Sequence, residues 1–245
     1  MGGLPLYGLG LIAVPVLLSL TLHEFGHARV ALAFGDDTAK RQGRVSLNPL
    51  AHLDPLGTLC LLFGPVGWAR PVPVVAANLR PRRLGDLAVS LAGVGMNLLL
   101  ALLAAGALTL MALLGVNVSP LQESPVTSAG VGALMLIITL RINLALIVFN
   151  LIPLYPLDGH HVLRELLPLR MHVGFMDWQA RYGRFLLLAL VVAPWLTRIF
   201  NVGVYLNPLG TVLSHIMFLF MGLLPQPAQT LVLHTLLRYL PFLPY

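Results

Sequence analysis

The feature that most constrains the fold is a long apolar run near the start of the chain that leads directly into two histidines and a glutamate. Residues 4–22 carry no charged side chain, and the sequence HEFGH follows at residues 23–27. About 20 consecutive apolar residues are the length that a helix needs to cross a bilayer. Ionisable groups inside such a helix cost about 2.5–3.5 kcal/mol each on insertion scales and usually have a function. We therefore predict a membrane helix that carries a polar site.

Residues 23–27 have the pattern H-E-x-x-H. On a helix, His23 and His27 are four residues apart and lie on one face. Two imidazoles at this spacing can bind one Zn²⁺, and Glu24 can then act as the general base of a metalloprotease. A purely structural pair of histidines is the alternative, but the cost of placing these groups in a membrane favours the metal site.

The composition indicates an all-α polytopic membrane protein. Of the 245 residues, 58% are apolar and 10% are charged, whereas soluble domains carry about 25% charged residues. No polar stretch is long enough for a soluble domain. We therefore expect one membrane-embedded domain over residues 1–245, with a core at about 4–168 and additional helices at about 170–245. The chain has a net charge of +6. In a membrane protein such an excess of basic residues usually marks cytoplasmic loops and not nucleic-acid binding. The single cysteine, Cys60, excludes an intrachain disulfide.

The apolar runs predict about five to six transmembrane helices. The five clearest spans are residues 4–34, 84–114, 131–151, 185–200 and 209–224. The loops at 40–44 and 70–83 are rich in arginine, so both are predicted to be cytoplasmic. The N-terminus is then outside, and the H-E-x-x-H motif lies towards the cytoplasmic side of the membrane.

Residues 56–69 are apolar but too short to cross the membrane. Fourteen helical residues reach about 21 Å, which is less than the hydrocarbon core of about 30 Å, and Gly64-Pro65 would interrupt the helix. Alternating prolines at 71 and 73 favour extended chain with one edge that cannot donate hydrogen bonds. We predict a re-entrant or extended segment near residues 56–75.

The end of the third span contains a second polar segment. Pro153 and Pro156 prevent a regular helix between Asn150 and Gly159. Unwound backbone at membrane depth is tolerated only where it is buried or lines a wet cavity. This break brings Asp158 to the depth of the histidine pair. Asp158 could also be the N-cap of a helix predicted at residues 160–167, and both roles are compatible.

Two further polar residues lie inside predicted spans. Asn97 follows the small residues Gly93 and Gly95, which allow another helix to approach closely. Its amide could form an interhelical hydrogen bond or belong to the site. Arg141 in the third span could mark a helix break, extend to the membrane surface, or pair with an acid such as Asp86 or Glu123.

These motifs resemble the site-2 protease family of intramembrane zinc metalloproteases, in its compact prokaryotic branch. The resemblance covers roughly residues 10–165. It is carried by H-E-x-x-H at 23–27, N-x-x-P-x-x-P-x-D-G at 150–159, G-x-x-x-N at 93–97 and RQGRVSLNPLAHLDPLG at 41–57. No PDZ or CBS domain is expected.

The resemblance implies one Zn²⁺ per chain and hydrolysis of peptide bonds within or near transmembrane segments of membrane proteins. The metal ligands that it implies are His23, His27 and Asp158. Glu24 would be the catalytic base, and Asn97 and Asn150 would hold the substrate backbone. The expected partners are a membrane-protein or peptide substrate and the lipid bilayer, and no nucleic acid.

The chain departs from the family pattern after the aspartate. Many relatives have a small residue after Gly159, whereas this chain has His160 and His161. Either histidine could support the metal ligands or bind a metal itself, but we expect an ordinary, exposed helix-start role for both. His52 and Asp54 lie in a turn rich in proline, where such side chains commonly bond nearby backbone, so they are expected to be structural.

Two other classes of protein remain open from the sequence. A membrane metal-ion transporter would also place His and Asp in the bilayer, but it would not need Glu24 and would favour inverted repeats, which the sequence does not show. A non-catalytic membrane-binding protein would be expected to lack Glu24 or one of the ligands. Zinc analysis combined with cleavage of a reporter helix distinguishes these classes.

Overall fold

The computed structural model describes residues 6–57, 68–116, 128–199 and 208–239. Within these ranges the protein is α-helical, and its only β-type pairing is an isolated bridge between Leu53 and Ala69. The helices are α1 (Leu6–Ala33), α2 (Thr38–Arg41), α3 (Arg82–Leu113), α4 (Ser128–Asn150), α5 (Asp158–Leu166), α6 (Leu169–Trp178), α7 (Arg184–Ile199), α8 (Pro208–Leu223) and α9 (Gln226–Tyr239). The chain is thus an all-α polytopic membrane protein, as predicted.

Three of the described helices are long and apolar enough to cross a membrane. They cover Gly10–Ala33, Arg82–Leu113 and Ala129–Asn150, which correspond to the first three predicted spans. Helices α7 and α8 have 16 residues each. At that length a helix reaches about 24 Å, which is less than the hydrocarbon core of about 30 Å. The total of five to six spans therefore remains a prediction.

The chain divides into two compact units, of which the first contains Met1–Ser19, Asn97–Ala145 and His215–Tyr245. In this unit a buried hydrogen bond joins α1 to α4, since Asn143 Nδ2 donates to Ser19 Oγ at 2.8 Å. Ser19 Oγ in turn donates to the carbonyl of Pro15 at 2.7 Å, within α1. Such polar contacts stabilise helix pairs in a bilayer, where water offers no alternative partner.

The second unit contains Leu20–Met96 and Leu146–Ser214. A small apolar cluster of Ala31, Leu79 and Val89 packs the end of α1 against α3 and the chain before it. Next to this cluster, the buried carboxylate of Asp36 accepts hydrogen bonds from Thr38, Val75 and Asn78. Burial alone would raise the pKa of Asp36, but these hydrogen bonds outweigh it and hold the pKa below its ordinary value. Asp36 is therefore ionised at neutral pH.

The flanks of the predicted re-entrant segment lie side by side in the second unit. Residues 58–67 are outside the described ranges, so the predicted path of that stretch stays a prediction. On either side of it, Leu53 pairs with Ala69, and Arg70 N donates to the carbonyl of His52 at 2.8 Å. The chain therefore enters and leaves these ten residues at one place.

Two features near α5 differ from the sequence prediction. The helix begins at Asp158 instead of His160, and its N-cap is Leu157, so Asp158 is not the N-cap. Helix α6 is not one of the five predicted spans, although it lies at the start of the region 170–245 where additional helices were expected. Its apolar side chains are mostly exposed, with Leu169 71% and Val173 72% accessible, which is typical of a helix that lies at a membrane interface.

Candidate active site

The site begins with the histidine pair on α1, in the second unit. His23 and His27 are both buried, and their Nε2 atoms are 3.1 Å apart. The Nδ1 atom of His27 donates to the carbonyl of Val89 on α3 at 2.7 Å. In the neutral imidazole this bond leaves the lone pair on Nε2, which is the atom that faces His23. The predicted i, i+4 geometry is therefore present, and the second nitrogen of His27 is held by α3 in the manner typical of a metal ligand.

A glycine on α3 allows the two helices to come this close. A Cβ atom added at Gly93 would lie 2.5 Å from His23 Cε1 and 2.7 Å from His23 Nδ1, and would overlap His27 Nε2. Contacts under 3.0 Å essentially never occur for a Cβ atom. The close approach that the sequence predicted at Gly93 is confirmed, and the group approached is the histidine pair itself.

The third polar group reaches the pair from the broken segment after α4. Asp158 is the first residue of α5, and its Oδ2 lies 3.5 Å from His23 Nε2 and 3.4 Å from His27 Nε2. The turn before it is tight, because Cβ at Gly159 would lie 2.5 Å from the carbonyl oxygen of Ile152. Gly159 therefore allows the start of α5 to pack directly on the end of the third span.

The three donor atoms fit a zinc ion. Their mutual separations are 3.1, 3.4 and 3.5 Å. These values are close to the separation of about 3.3–3.4 Å between ligand atoms that lie about 2.0–2.1 Å from a tetrahedral Zn²⁺. The Oδ2 atom of Asp158 is buried and has no hydrogen-bond partner among the described residues. A buried carboxylate oxygen without a donor is costly unless a cation sits against it. His23, His27 and Asp158 can therefore hold one metal ion.

Glu24 lies beside these donor groups and is held by residues 70–75, the extended segment that the sequence predicts and that contains no helix in the structure. The N–H of Val72 donates to Glu24 Oε2 at 3.0 Å. Both residues line a cavity of about 320 Å³, which is also lined by His23, Asp158 and Asn150. The cavity therefore brings together a carboxylate that could act as a base, a group of three side chains that could hold a metal, and a stretch of non-helical backbone.

The two asparagines named from the sequence occupy different positions. Asn150 lines the cavity, and its Nδ2 donates to the carbonyl of Leu146 at 3.0 Å, within α4. Asn97 is fully buried on α3 and is not among the residues that line this cavity. A role in holding substrate stays a prediction for both.

An ion cluster in the cavity wall was missed from the sequence. Asp86 lies on α3, forms a salt bridge with Arg164 and has His161 Nδ1 at 3.6 Å. Both Asp86 and His161 line the cavity, whereas Arg141, which the sequence offered as a partner for Asp86, is exposed. The sequence did contain one signal that could have placed Asp86 near the site, which is its spacing. Asp86, Ser90 and Gly93 are separated by four and three residues, so they share one face of α3.

The other histidines have structural surroundings. His160 is buried, which corrects the expectation that it would be exposed, and its Nδ1 donates to the carbonyl of Leu157 at 3.2 Å. Burial, together with the charge of His161, lowers the pKa of His160 to about 4, so it is neutral at physiological pH. His52 Nε2 donates to the carbonyl of Ser46, and Asp54 accepts from the N–H of Gly57. These contacts confirm the structural role predicted for that turn.

Comparison with known proteins agrees with this site. Residues 11–190 match the model of Peptidase family M50. The chain belongs to this family. The M50 chain is 39% identical over 190 residues to "Putative zinc metalloprotease YwhC" of Bacillus subtilis, with 78% of this chain and 84% of that protein aligned.

Two mycobacterial proteins are also similar to the M50 chain. "Putative zinc metalloprotease Rip2" of Mycolicibacterium smegmatis is 30% identical over 194 residues, with 77% of this chain and 69% of that protein aligned. The Rip2 protein of Mycobacterium tuberculosis is 34% identical over 152 residues, with 60% and 53% aligned. No solved structure matches the chain.

Membership of the family decides between the three classes left open by the sequence. The chain is an intramembrane zinc metalloprotease, and its cofactor is Zn²⁺. The metal-transporter and non-catalytic alternatives have no support. The family also implies membrane proteins as substrates.

Proposed function

We propose that His23, His27 and Asp158 hold the zinc and that Glu24 is the general base for hydrolysis of peptide bonds within or near transmembrane segments. The observation that carries this proposal is the group of three donor atoms, 3.1–3.5 Å apart, in the same cavity as Glu24. When bound, zinc lowers the pKa of water and polarises the scissile carbonyl.

Glu24 moves the proton in this mechanism. Its Oε2 is held by the N–H of Val72, so we assign Oε1 as the atom that takes a proton from the attacking water. The same carboxyl group then gives the proton to the leaving amine as the peptide bond breaks. A base that is fixed by a backbone donor needs little rearrangement at the moment of reaction.

The substrate is bound in an extended form beside Glu24. A helical substrate cannot be cut while its carbonyls are hydrogen-bonded within the helix, so it must unwind before hydrolysis. Residues 70–75, which the prolines predict to be extended, lie next to the base and offer the substrate an edge for strand addition. Asn150, in the wall of the cavity, and Asn97 are assigned to hold the substrate backbone.

The active site faces the cytoplasmic side of the membrane, and the N-terminus is outside. Support comes from the two arginine-rich loops, which lie together in the second unit: Arg80 N donates to the carbonyl of Phe34, and Val75 N to Asp36. Loops in contact share one side of a membrane, and arginine-rich loops are usually cytoplasmic. We assign residues 1–245 to one protease domain, and the family match over residues 11–190 supports its core.

Removal of the metal tests the proposed activity. The purified protein should contain about one Zn²⁺ per chain, as a single group of three ligands predicts, and should cleave a reporter protein that carries one transmembrane helix. A chelator should abolish cleavage, and added Zn²⁺ should restore it. Zinc content is measured by atomic spectroscopy and cleavage by gel electrophoresis. Full activity of the metal-free protein would contradict the proposal.

Cysteine labelling tests the orientation and the path of the predicted re-entrant segment. In a Cys60→Ser background, single cysteines at Ser46 and Ala76 should react with a membrane-impermeant thiol reagent only in inverted vesicles. A cysteine at Leu114, just after α3, is the control and should react only in intact, outward-facing cells. Labelling of Ser46→Cys from one side and of Ala76→Cys from the other would show that the intervening segment crosses the membrane.

A further inference from the structure

Across residues 71–74, only one edge of the predicted extended segment at residues 70–75 carries N–H groups, and that edge faces the site. Pro71 and Pro73 have no N–H group, so the edge to which they belong cannot donate. In extended chain, Val72 and Val74 share the opposite edge. The N–H of Val72 points at Glu24, and both valines line the cavity. The position of this segment therefore decides where an added strand would lie relative to Glu24.

One end of the segment is held by a buried arginine. Arg44 is only 4% exposed. Its guanidinium donates to the carbonyls of Ala51, Arg70 and Pro71, the last at 3.1 Å. A planar guanidinium has five donors in a fixed arrangement, so it can join three carbonyls from two stretches of chain. Arg44 thereby closes the base of the loop from which the extended segment emerges.

The other end is held by Asp36. Its Oδ2 accepts from the N–H of Val75 at 2.7 Å, and its Oδ1 accepts from Asn78 Nδ2 at 3.0 Å. Oδ1 also accepts from the N–H and the hydroxyl of Thr38, at 3.1 and 2.5 Å. Every described partner of this carboxylate is a donor. The segment is thus held at residues 70–71 by Arg44, at 72 by Glu24, and at 75 by Asp36.

We propose that Arg44 and Asp36 are positioning residues that hold the 72/74 edge of the extended segment against Glu24, so that an unwound substrate is received in register with the base. This inference rests on the proposed function. Neither side chain lines the cavity, so both act through the segment and not through contact with the substrate.

Cross-linking separates substrate reception from hydrolysis. In a Glu24→Gln, Cys60→Ser background, a cysteine at Val74 is joined by a short bis-maleimide to single cysteines placed along the reporter helix. If the unwound reporter binds as a strand, cross-links should form at every second reporter position. Arg44→Lys and Asp36→Asn should each reduce the yield at least about ten-fold, since each breaks hydrogen bonds to a charged group. Lysine has no planar guanidinium and cannot join the same three carbonyls. The Nδ2 group of asparagine is a donor and would face the donors that now bond the Asp36 carboxylate.

Two exposed neighbours provide matched controls. Arg41 and Asp37 form a surface ion pair at 3.1 Å. Arg41→Lys and Asp37→Asn therefore make the same chemical changes at side chains that do not hold the extended segment. Both controls should keep the cross-linking yield and cleavage rate of the parent protein. Exposed pairs of this kind contribute little to stability, so no large effect is expected at either position.

Kinetics of the active protein complete the test. With Glu24 restored, Arg44→Lys and Asp36→Asn should raise KM for the reporter about ten-fold and lower kcat by less than about three-fold, the signature of lost uniform binding. Zinc content should stay at one per chain. If a variant loses zinc or fails to fold, Asn78→Ala is used instead. It removes a single donor to Asp36 and should raise KM by a smaller factor.

The inference and the proposed function fail in different ways. Unchanged cross-linking and KM in folded Arg44→Lys and Asp36→Asn would overturn the positioning role, even in an active protease. Absence of cleavage by the parent protein would overturn the proposed function, while the cross-linking pattern in the Glu24→Gln background would still report how the segment receives a strand.

Discussion

Glu24→Gln should retain about one zinc per chain and lose cleavage of the reporter helix by a factor of about a thousand or more. The metal-ligand group is untouched by this change, so zinc content should not fall. The amide can still accept the hydrogen bond from Val72, so the extended segment should keep its place. An amide cannot take a proton from water, and general acid–base catalysis typically contributes about 10²–10⁴-fold.

The controls for this variant address folding and mechanism separately. Asp37→Asn neutralises an exposed carboxylate and should keep the parent rate. Zinc content and melting temperature of Glu24→Gln should match those of the parent, which excludes unfolding as the cause of inactivity. Undiminished turnover by the purified variant would remove Glu24 from the mechanism.

Asp158→Ala should lose zinc while its helices remain. Two imidazoles alone bind the metal much more weakly than three ligands. Loss of groups that merely support ligands costs about 10–100-fold in metal affinity, so loss of a ligand should cost at least about 100-fold. Helix α5 should persist, because Asp158 is its first residue and its N-cap is Leu157, which this change leaves in place. Cleavage should fall with the zinc.

Metal titration under mild chelation measures the effect, and circular dichroism checks the helices. Asp177→Asn is the control, since it removes an exposed carboxylate on α6 and should leave zinc binding unchanged. If Asp158→Ala kept stoichiometric zinc under the same chelation, the carboxylate would not be a ligand.

The parts of the structure that the sequence predicted are those with strong local signals. Long apolar runs predicted the three spanning helices, and the spacing of His23 and His27 predicted a shared helical face. The prolines at 153 and 156 predicted that the chain is broken before Asp158. Each of these signals lies within one short stretch, so no knowledge of packing was needed.

The parts that escaped prediction depend on contacts between distant stretches. Asp86 pairs with Arg164 instead of Arg141 because α5 brings Arg164 against α3, and no local pattern specifies that choice. Similarly, Asp36 and Asp37 are adjacent in the sequence, yet one is buried in hydrogen bonds and the other pairs on the surface. The bounds of helix α6 were not predicted because its apolar and polar residues are mixed, as expected of a helix at an interface.

The separation of the proposed metal ligands along the chain bears on how the protein is made. His23 and His27 lie on the first span, and 130 residues separate His27 from Asp158. During synthesis the histidine pair enters the membrane long before the third ligand leaves the ribosome. On this assignment the pair alone would hold zinc weakly, so the growing chain could not carry a completed centre until the first three long helices have been inserted. A chain that stalls earlier would remain inactive.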